Sequence, residues 1–318
     1  MTREHRPPLP VVTVGGFLGA GKTTLINHVL SQSNGERIVV FVNDFGAINI
    51  DYDLIEAADT DRVSLKNGCV CCTLNDDLIA SIVRFCQVES PDAFVIEASG
   101  VSDPRSLDQS LFALQSAGHV RLHKRVYVLD ADQFGSLDYG DTELLIDHAA
   151  ASDLVLINKA DLVSASELEE LNAVVARSTK DTVVRTTSRC TVPVEVIWEQ
   201  KDRLGRLDAE TDFLEIESSR SHGNRYCSWS KTVAGTLRRE EFHRFLREIA
   251  GIAIRAKGRV VFDDEPWRIS SFDVVGTRVS TRLVGDRHSG DMSKLVVIGK
   301  RGNLNKDALE DSLARCIN

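Results

Sequence analysis

Gly15-Gly16-Phe17-Leu18-Gly19-Ala20-Gly21-Lys22-Thr23-Thr24-Leu25 decides how the rest of this chain is read. The stretch contains G-x-x-x-x-G-K-T, opening at Gly16 and closing at Thr23. Before it, Val11-Val12-Thr13-Val14 is apolar and largely β-branched, as a buried parallel strand is. After it, apolar residues fall at helical spacing from Thr24 to Leu30. Strand, glycine loop and helix in that order make the motif a phosphate cradle. The glycines let backbone N–H groups turn inward on phosphate oxygens, and the helix N-terminus adds positive potential. In that setting Lys22 bridges the terminal phosphates and the Thr23 hydroxyl holds Mg²⁺. A nucleoside triphosphate is the expected ligand.

A length of 318 residues suggests two domains. A hydrophobic share of 42% and a charged share of 27% are those of a globular protein. Neither a membrane span nor a signal-peptide core is visible, and residues 1–10 read as a flexible, proline-bearing arm. The cysteines number 7, an odd count, and three of them crowd into four residues, which is unlike a disulfide framework. A reducing cytoplasm is expected, with no membrane partner. The net charge of −9 argues against nucleic acid as a partner. That charge is uneven: from Arg206 onward 20 bases face 17 acids, leaving 38 − 20 = 18 bases and 47 − 17 = 30 acids before it. The two halves therefore present different surfaces.

Along the chain, Arg37–Val42 is a second buried-strand candidate, running into Asn43-Asp44-Phe45-Gly46. Carboxylates just past a strand's carboxyl end sit where open α/β sheets bind ligands. Asp44 is a candidate to orient an attacking water or to reach Mg²⁺ through one, with Asp51 a weaker candidate. Asp92–Ile96 is a further strand, closed by Glu97-Ala98-Ser99-Gly100. An acidic residue in this place holds Mg²⁺ or its waters, and the Gly100 backbone senses the γ-phosphate. Arg125–Asp130 and Asp153–Ile157 are two more strands, and the second ends in Asn158-Lys159-Ala160-Asp161. Guanine offers N1–H and N2–H₂ as donors, which one ionised Asp161 can accept together. Adenine has an acceptor at N1 and leaves that carboxylate unpaired. Asn158 is expected at the opposite base edge and Lys159 along the base, with Thr187-Ser188 a weak candidate near O6. The nucleotide is GTP rather than ATP.

Asn67-Gly68-Cys69-Val70-Cys71-Cys72 puts several soft thiolate donors on one short loop, which suits Zn²⁺ or another thiophilic ion. Three ligands are visible, so a fourth comes from elsewhere or from a second chain. Helical periodicity follows over Leu74–Val88 and again over Glu167–Ser178, with a strand at Thr182–Thr186. Residues 201–224 read as a linker. Beyond it, strands near Tyr226, Arg255–Phe262, Trp267–Val275, Val279–Leu283 and Lys294–Ile298 suggest an antiparallel sheet, with helices over Glu240–Ala250 and Asn305–Cys316. His119 and His123 read as bystanders.

GGFLGAGKTTL, VNDFGAINID, NGCVCCTL, VIEASG and NKAD, in this order, resemble the CobW-type GTPases, a dimer-forming branch of P-loop proteins serving metal-centre assembly. Arg255–Gly258 and Lys294–Gly299 are similar to that family's C-terminal domain. The resemblance implies an α/β, SIMIBI-like P-loop NTPase with a mainly parallel sheet flanked by helices over residues 11–200. A smaller α+β domain is implied over 225–318. It implies Cys69, Cys71 and Cys72 as ligands of Zn²⁺ or Co²⁺, and Gly16, Gly19, Ala20, Gly21, Lys22, Thr23 and Thr24 around the phosphates and Mg²⁺. Asn158, Lys159 and Asp161 would hold the guanine, and Glu97 with Gly100 matches the family's ExxG. GTP hydrolysis, slow because no arginine finger is evident, would control delivery of the ion to a client metalloprotein. A homodimer is a further expectation. Two departures stand out: many relatives carry Glu where this chain has Asp44, and the linker holds a single histidine, His222, where many have a histidine-rich one. A regulatory GTPase with a structural cysteine loop and a maturation factor for one enzyme stay open as alternatives.

Overall fold

The computed structural model describes residues 7–33, 35–42, 62–64, 71–88, 91–100, 103–179, 182–199, 226–288 and 290–317, with backbone alone for 62–64 and 71–77. They divide into two compact units, one ending before the 201–224 stretch and one beginning after it.

The first unit is built on a seven-stranded sheet in the order β3-β2-β4-β1-β5-β6-β7. Its strands are β1 (Leu9–Gly16), β2 (Ile38–Val42), β3 (Arg62–Ser64), β4 (Ala93–Glu97), β5 (Val120–Asp130), β6 (Leu154–Asn158) and β7 (Val183–Thr186). Every pairing is parallel. The strands are apolar on both faces, and alternate residues feed two cores. Val12, Val14, Val40 and Val95 pack on the side of helix α1 (Lys22–Ser31), with Leu25, Ile26 and Val29. Val11, Val39, Phe41, Phe94 and Ile96 pack on the other side, against Leu78 and Ile82 of α2 (Cys71–Val88) and Leu111 and Leu114 of α3 (Asp108–Ser116). A sheet covered on both faces reads as near-continuous apolar runs, which is why these strands were visible in the sequence.

Strand β1 lies at the centre. Its neighbour on one side is β4 and on the other β5, so the chain's direction of travel across the sheet reverses around it. Ligands of open α/β sheets bind outside the carboxyl ends of the strands at such a point. The phosphate-loop sequence begins there.

The second unit is a five-stranded sheet in the order β11-β10-β9-β12-β8, all antiparallel. The strands are β8 (Tyr226–Val233), β9 (Ala253–Val260), β10 (Arg268–Val275), β11 (Arg278–Asp286) and β12 (Ser293–Lys300). Helices Arg239–Ile249 and Lys306–Ala314 supply Phe242, Phe245, Leu246, Leu309 and Leu313 to one core with the inward residues of the sheet. Phe242 lies 5.7 Å from Phe262 and 5.2 Å from Phe272, ring centre to ring centre, both edge-on. Gly258 makes room for this cluster: a Cβ there would meet the Lys294 carbonyl at 2.2 Å and the Phe272 ring at 2.5 Å. No helix among the described residues is long and apolar enough to cross a membrane.

Because Phe242 is fully buried among three other rings, Phe242→Ala should cost about 3–5 kcal/mol. Urea unfolding followed by tryptophan fluorescence, with Trp229 in the same core, measures it.

Candidate functional site

The loop after β1 has the backbone of a ligand cradle. Gly16, Gly19 and Gly21 have φ of 143°, 83° and 116°, in the left-handed region that residues with a Cβ avoid. At Gly16 a Cβ would also meet the Val128 carbonyl at 2.4 Å. Gly21 caps α1 with no side-chain hydrogen bond, and the first turn holds no acidic residue. No side chain caps that turn, and a helix end favours an anion. Lys22 is 5% exposed, and its Nζ donates to the carbonyls of Gly16 at 2.9 Å and Phe17 at 3.2 Å. Thr23 is half-buried and Thr24 exposed.

Glu97 ends β4, with Val14 of β1 in register on one side and Val42 of β2 on the other. It is buried, 2% exposed. Three residues on, Gly100 abuts the phosphate loop: a Cβ there would lie 3.0 Å from Lys22 Nζ and 2.6 Å from Leu18. The structure thus brings the E-x-x-G stretch and the lysine of the phosphate loop together.

Asn158, Lys159 and Asp161 follow β6 on the other side. Asn158 is 2% exposed and joined at both ends: Nδ2 donates to the Ala20 carbonyl at 2.8 Å and Oδ1 accepts from the Cys190 N–H at 2.9 Å. Its amide ties two loops together and keeps one further donor and one further lone pair. Lys159 has φ 61°, and its Nζ meets Asp130 Oδ2 at 2.7 Å. Asp130, buried at the end of β5, also accepts from the Gln133 N–H and so starts the short helix Ala131–Phe134. Asp161 is exposed, in the turn Ala160–Leu162. Thr187 joins the same edge, its N–H donating to the Ile157 carbonyl and its own carbonyl accepting from the Ala160 N–H.

The sequence expected the clustered cysteines on one loop. The backbone instead starts α2 at Cys71, so Cys71 and Cys72 stand at a helix N-terminus. Cys69, Asp44 and Asp51 lie outside the described residues, as do the side chains of Cys71 and Cys72. Helix α2 connects β3 to β4, which run parallel in one sheet. It must therefore run back against them, which puts its first residues at the carboxyl edge where β1, β4 and β6 end.

Two functional contacts escaped the sequence reading. One is Asp130 as the partner of Lys159, hinted at only by its place at a strand end. The other is Cys190, wholly buried in the turn after β7, with its Sγ on the Gly21 carbonyl at 3.4 Å. Arg189 and Cys190 both have positive φ, 54° and 53°. Two such non-glycine residues in succession hold strain that the surrounding contacts must offset. Burial pushes the Cys190 thiol up to about 12, against the pull of the Lys159 charge.

A glycine cradle at an uncapped helix end, beside a buried carboxylate, defines a protein of the P-loop nucleotide-binding class. Residues 10–185 match the family model "CobW/HypB/UreG, nucleotide-binding domain" and residues 226–317 match "Cobalamin synthesis protein cobW C-terminal domain". The chain belongs to the CobW/HypB/UreG family, a family of P-loop GTPases. It is similar to a zinc chaperone CobW of Pseudomonas aeruginosa, 29% identical across 92% of this chain and 88% of that protein. It is 30% identical to a zinc chaperone CobW of Sinorhizobium sp across 61% of this chain and 60% of the other. With "Zinc-regulated GTPase metalloprotein activator 1" of Dictyostelium discoideum it shares 29% across 72% of this chain and 53% of that one. The chain thus spans little more than half the length of the last two.

The raised Cys190 pKa has two expected consequences. In the native protein this thiol should resist iodoacetamide at pH 8 while exposed thiols react, as mass spectrometry after short labelling would show. Since the folded state keeps the proton, the stability this thiol contributes is fully present below its ordinary pKa of 9.0 and is lost as pH climbs towards about 12. Cys190→Ala should flatten that alkaline fall in unfolding free energy.

Proposed function

We propose that this chain binds GTP with Mg²⁺, hydrolyses it slowly, and uses the cycle to hold and release a transition-metal ion for a client metalloprotein. The observation that carries the reading is a convergence at one edge of the parallel sheet. The glycine cradle, Glu97 with Gly100, Asp161, and the helix start bearing Cys71 and Cys72 all lie at the strands' carboxyl ends.

The residues present fit a Mg²⁺-nucleotide. The cradle at Gly16 and Gly21 is one that a Cβ would fill, and a buried carboxylate stands next to it. Thr23 would hold the ion, and Glu97 and Asp44 would reach it directly or through water. When bound, Mg²⁺ neutralises charge building on the β- and γ-phosphate oxygens. Lys22 would trade its two carbonyl partners for phosphate oxygens, a charge-assisted and stronger set. Gly100, against Lys22, would register whether a γ-phosphate is there. Asp161 would accept both guanine donors, while Asn158 fixes the distance between the phosphate loop and the base wall and Lys159 is held along the base by Asp130.

Cys69, Cys71 and Cys72 would bind the transported ion. Zinc ranks ahead of cobalt because the relatives' names include "zinc chaperone" and "zinc-regulated". The name "metalloprotein activator" supports a client metalloprotein as the recipient, and the odd count of 7 cysteines, three of them within four residues, supports a reducing cytoplasm as the place.

Two measurements test this. Asp161→Asn replaces an acceptor of guanine N2–H₂ by an amide that can donate to the C2 oxygen of xanthine. GTP affinity should fall by roughly 10²–10⁴, the worth of two hydrogen bonds to a charged group, and XTP should bind better than GTP. For the metal arm, zinc affinity measured by competition with a chelating dye should differ between the GDP and GTP-analogue states. It should disappear in the Cys69→Ser, Cys71→Ser, Cys72→Ser triple variant. Equal zinc affinity in both nucleotide states would leave a GTPase whose cysteines are uncoupled from its cycle.

A further inference from the structure

The second unit's sheet has two edges, and they are treated differently. At one edge, β8 is largely buried or half-buried along its length, Thr232 being its exposed residue. At the other, every residue of β11 from Val279 to Val284 is exposed. Val279, Leu283 and Val284 are 41%, 53% and 45% exposed. Edge strands are normally blunted by charged side chains, lysine above all, or by proline, short length or a bulge, and the charges in the stretch of β11 that is exposed throughout come down to Arg282, with Arg278 half-buried before it. Strand β11 is nine residues long with neither proline nor lysine, and the irregularity in its pairing with β10 falls at its far end, between Ile269 and Ser270. Among the described residues β11 pairs only with β10.

The direction of its open hydrogen bonds follows from the hairpin. Strands β10 and β11 are joined by the two-residue turn Gly276-Thr277, with Gly276 at φ 57° and Val275 opposite Arg278. The closing pair of such a hairpin exchanges both bonds, so Arg278, Ser280 and Arg282 face β10 with their backbone groups. The N–H and C=O of Val279, Thr281 and Leu283 then point to the free edge. The side chain of Arg282 also leans inward, donating from Nε to Ser271 Oγ at 3.2 Å.

We propose that β11 is a self-pairing edge: two copies of this chain join antiparallel through it, about a twofold axis at Thr281. The sequence Val279-Ser280-Thr281-Arg282-Leu283 is self-complementary in this register. Val279 lies opposite Leu283 of the second copy on one face. Thr281 meets Thr281, and threonine pairs and apolar pairs are favourable cross-strand neighbours. On the other face Arg282 meets Ser280, and the regular pairing ends at Leu283 because Val284 is the residue skipped in the β10–β11 register. Centring the pair one residue earlier sets Arg278 opposite Arg282, and one residue later sets Arg282 opposite Arg282. Like charges directly opposite are destabilising, so charge selects the Thr281 register. The occupant is a second copy because the strand's own pattern supplies the match. Paired this way, the two five-stranded sheets become one of ten strands.

One strand pair covers less area than a stable dimer normally buries, so the association should be weak, with a dissociation constant on the order of 10–100 μM. Sedimentation velocity of the full chain over a concentration series, with GDP and with a GTP analogue, reads it. The expected result is a monomer–dimer equilibrium present in both nucleotide states. Thr281→Lys, which sets two ammonium groups face to face, should weaken it at least tenfold. Thr232→Lys on the opposite edge should leave it unchanged, and both variants should keep the native melting temperature and nucleotide binding. Thr281→Cys should give a disulfide-linked dimer on mild oxidation, because opposed Cα atoms about 5.5 Å apart are within disulfide reach. A chain that stays monomeric throughout would overturn the proposal. So would a dimer that ignores Thr281→Lys, or one that forms only with the GTP analogue and therefore uses another surface.

Discussion

One carboxamide sets the geometry of the nucleotide edge. Asn158 is buried at the end of β6, where an unpaired amide would be costly, and both its ends are used. Its NH₂ holds the Ala20 carbonyl, fixing the last turn of the phosphate loop. Its oxygen holds the Cys190 N–H, fixing the turn that follows β7. The spacing between the phosphate-loop motif and the turn after β7 is thereby set by one side chain. The same contact explains Gly21. A Cβ there would lie 2.5 Å from the Asn158 nitrogen and 3.0 Å from the Cys190 sulfur, at a φ that already favours glycine. The motif's second glycine answers to residues more than 130 positions away as well as to the phosphate.

Lys22 shows the same economy. A lysine this deeply buried needs partners for its ammonium, and two loop carbonyls are among them. Those carbonyls belong to Gly16 and Phe17, so the ammonium holds the cradle in shape before a phosphate arrives. On the proposed reading of Lys22 as a phosphate ligand, the loop is preorganised by the group that would bind, and less ordering would accompany binding. Gly100 belongs to this arrangement because any side chain there would push on the Lys22 ammonium and on Leu18.

The parallel sheet was legible because strands buried on both faces leave continuous apolar runs, as at β1, β2, β4 and β6, while the edge strand β7 showed through its two valines. Strand β5 was seen only from Arg125, although it begins at Val120. Its first half reads Val120-Arg121-Leu122-His123-Lys124, with polar residues at a half-buried margin, so the hydrophobic signal is diluted. His123 stands there against Trp198, its Nε2 2.8 Å from the Trp198 carbonyl. Helix α3 and the helix Tyr139–Ala150 were not anticipated, since both carry short, weakly periodic apolar faces. In the site, motif residues were legible because their chemistry is fixed by spacing. Cys190, Asp130 and the double role of the Asn158 amide were not, because they depend on which loops the sheet order makes neighbours. Helix α2 begins three residues before the periodicity became visible, since Cys-Cys-Thr carries no helical pattern.

That earlier start bears on how a nucleotide and a metal ion could be coupled. Residues on a loop of their own would be free of the sheet, and any link to the phosphates would need a contact that forms anew. At the first turn of α2 they are fixed to an 18-residue helix packed through Leu78 and Ile82 on β2 and β4. The helix is about 27 Å long at 1.5 Å per residue, and its far end leads back into β4 and so to Glu97. A shift of Glu97 or Gly100 on loss of the γ-phosphate would press on the same carboxyl edge where the helix begins. The helix end also favours negative charge, which would suit the thiolates that the proposed metal site requires. A packed helix moves as a body rather than deforming gradually, so two arrangements of its first turn are a more natural outcome than a continuum. Such a two-position element is the minimum that linkage between two ligands requires.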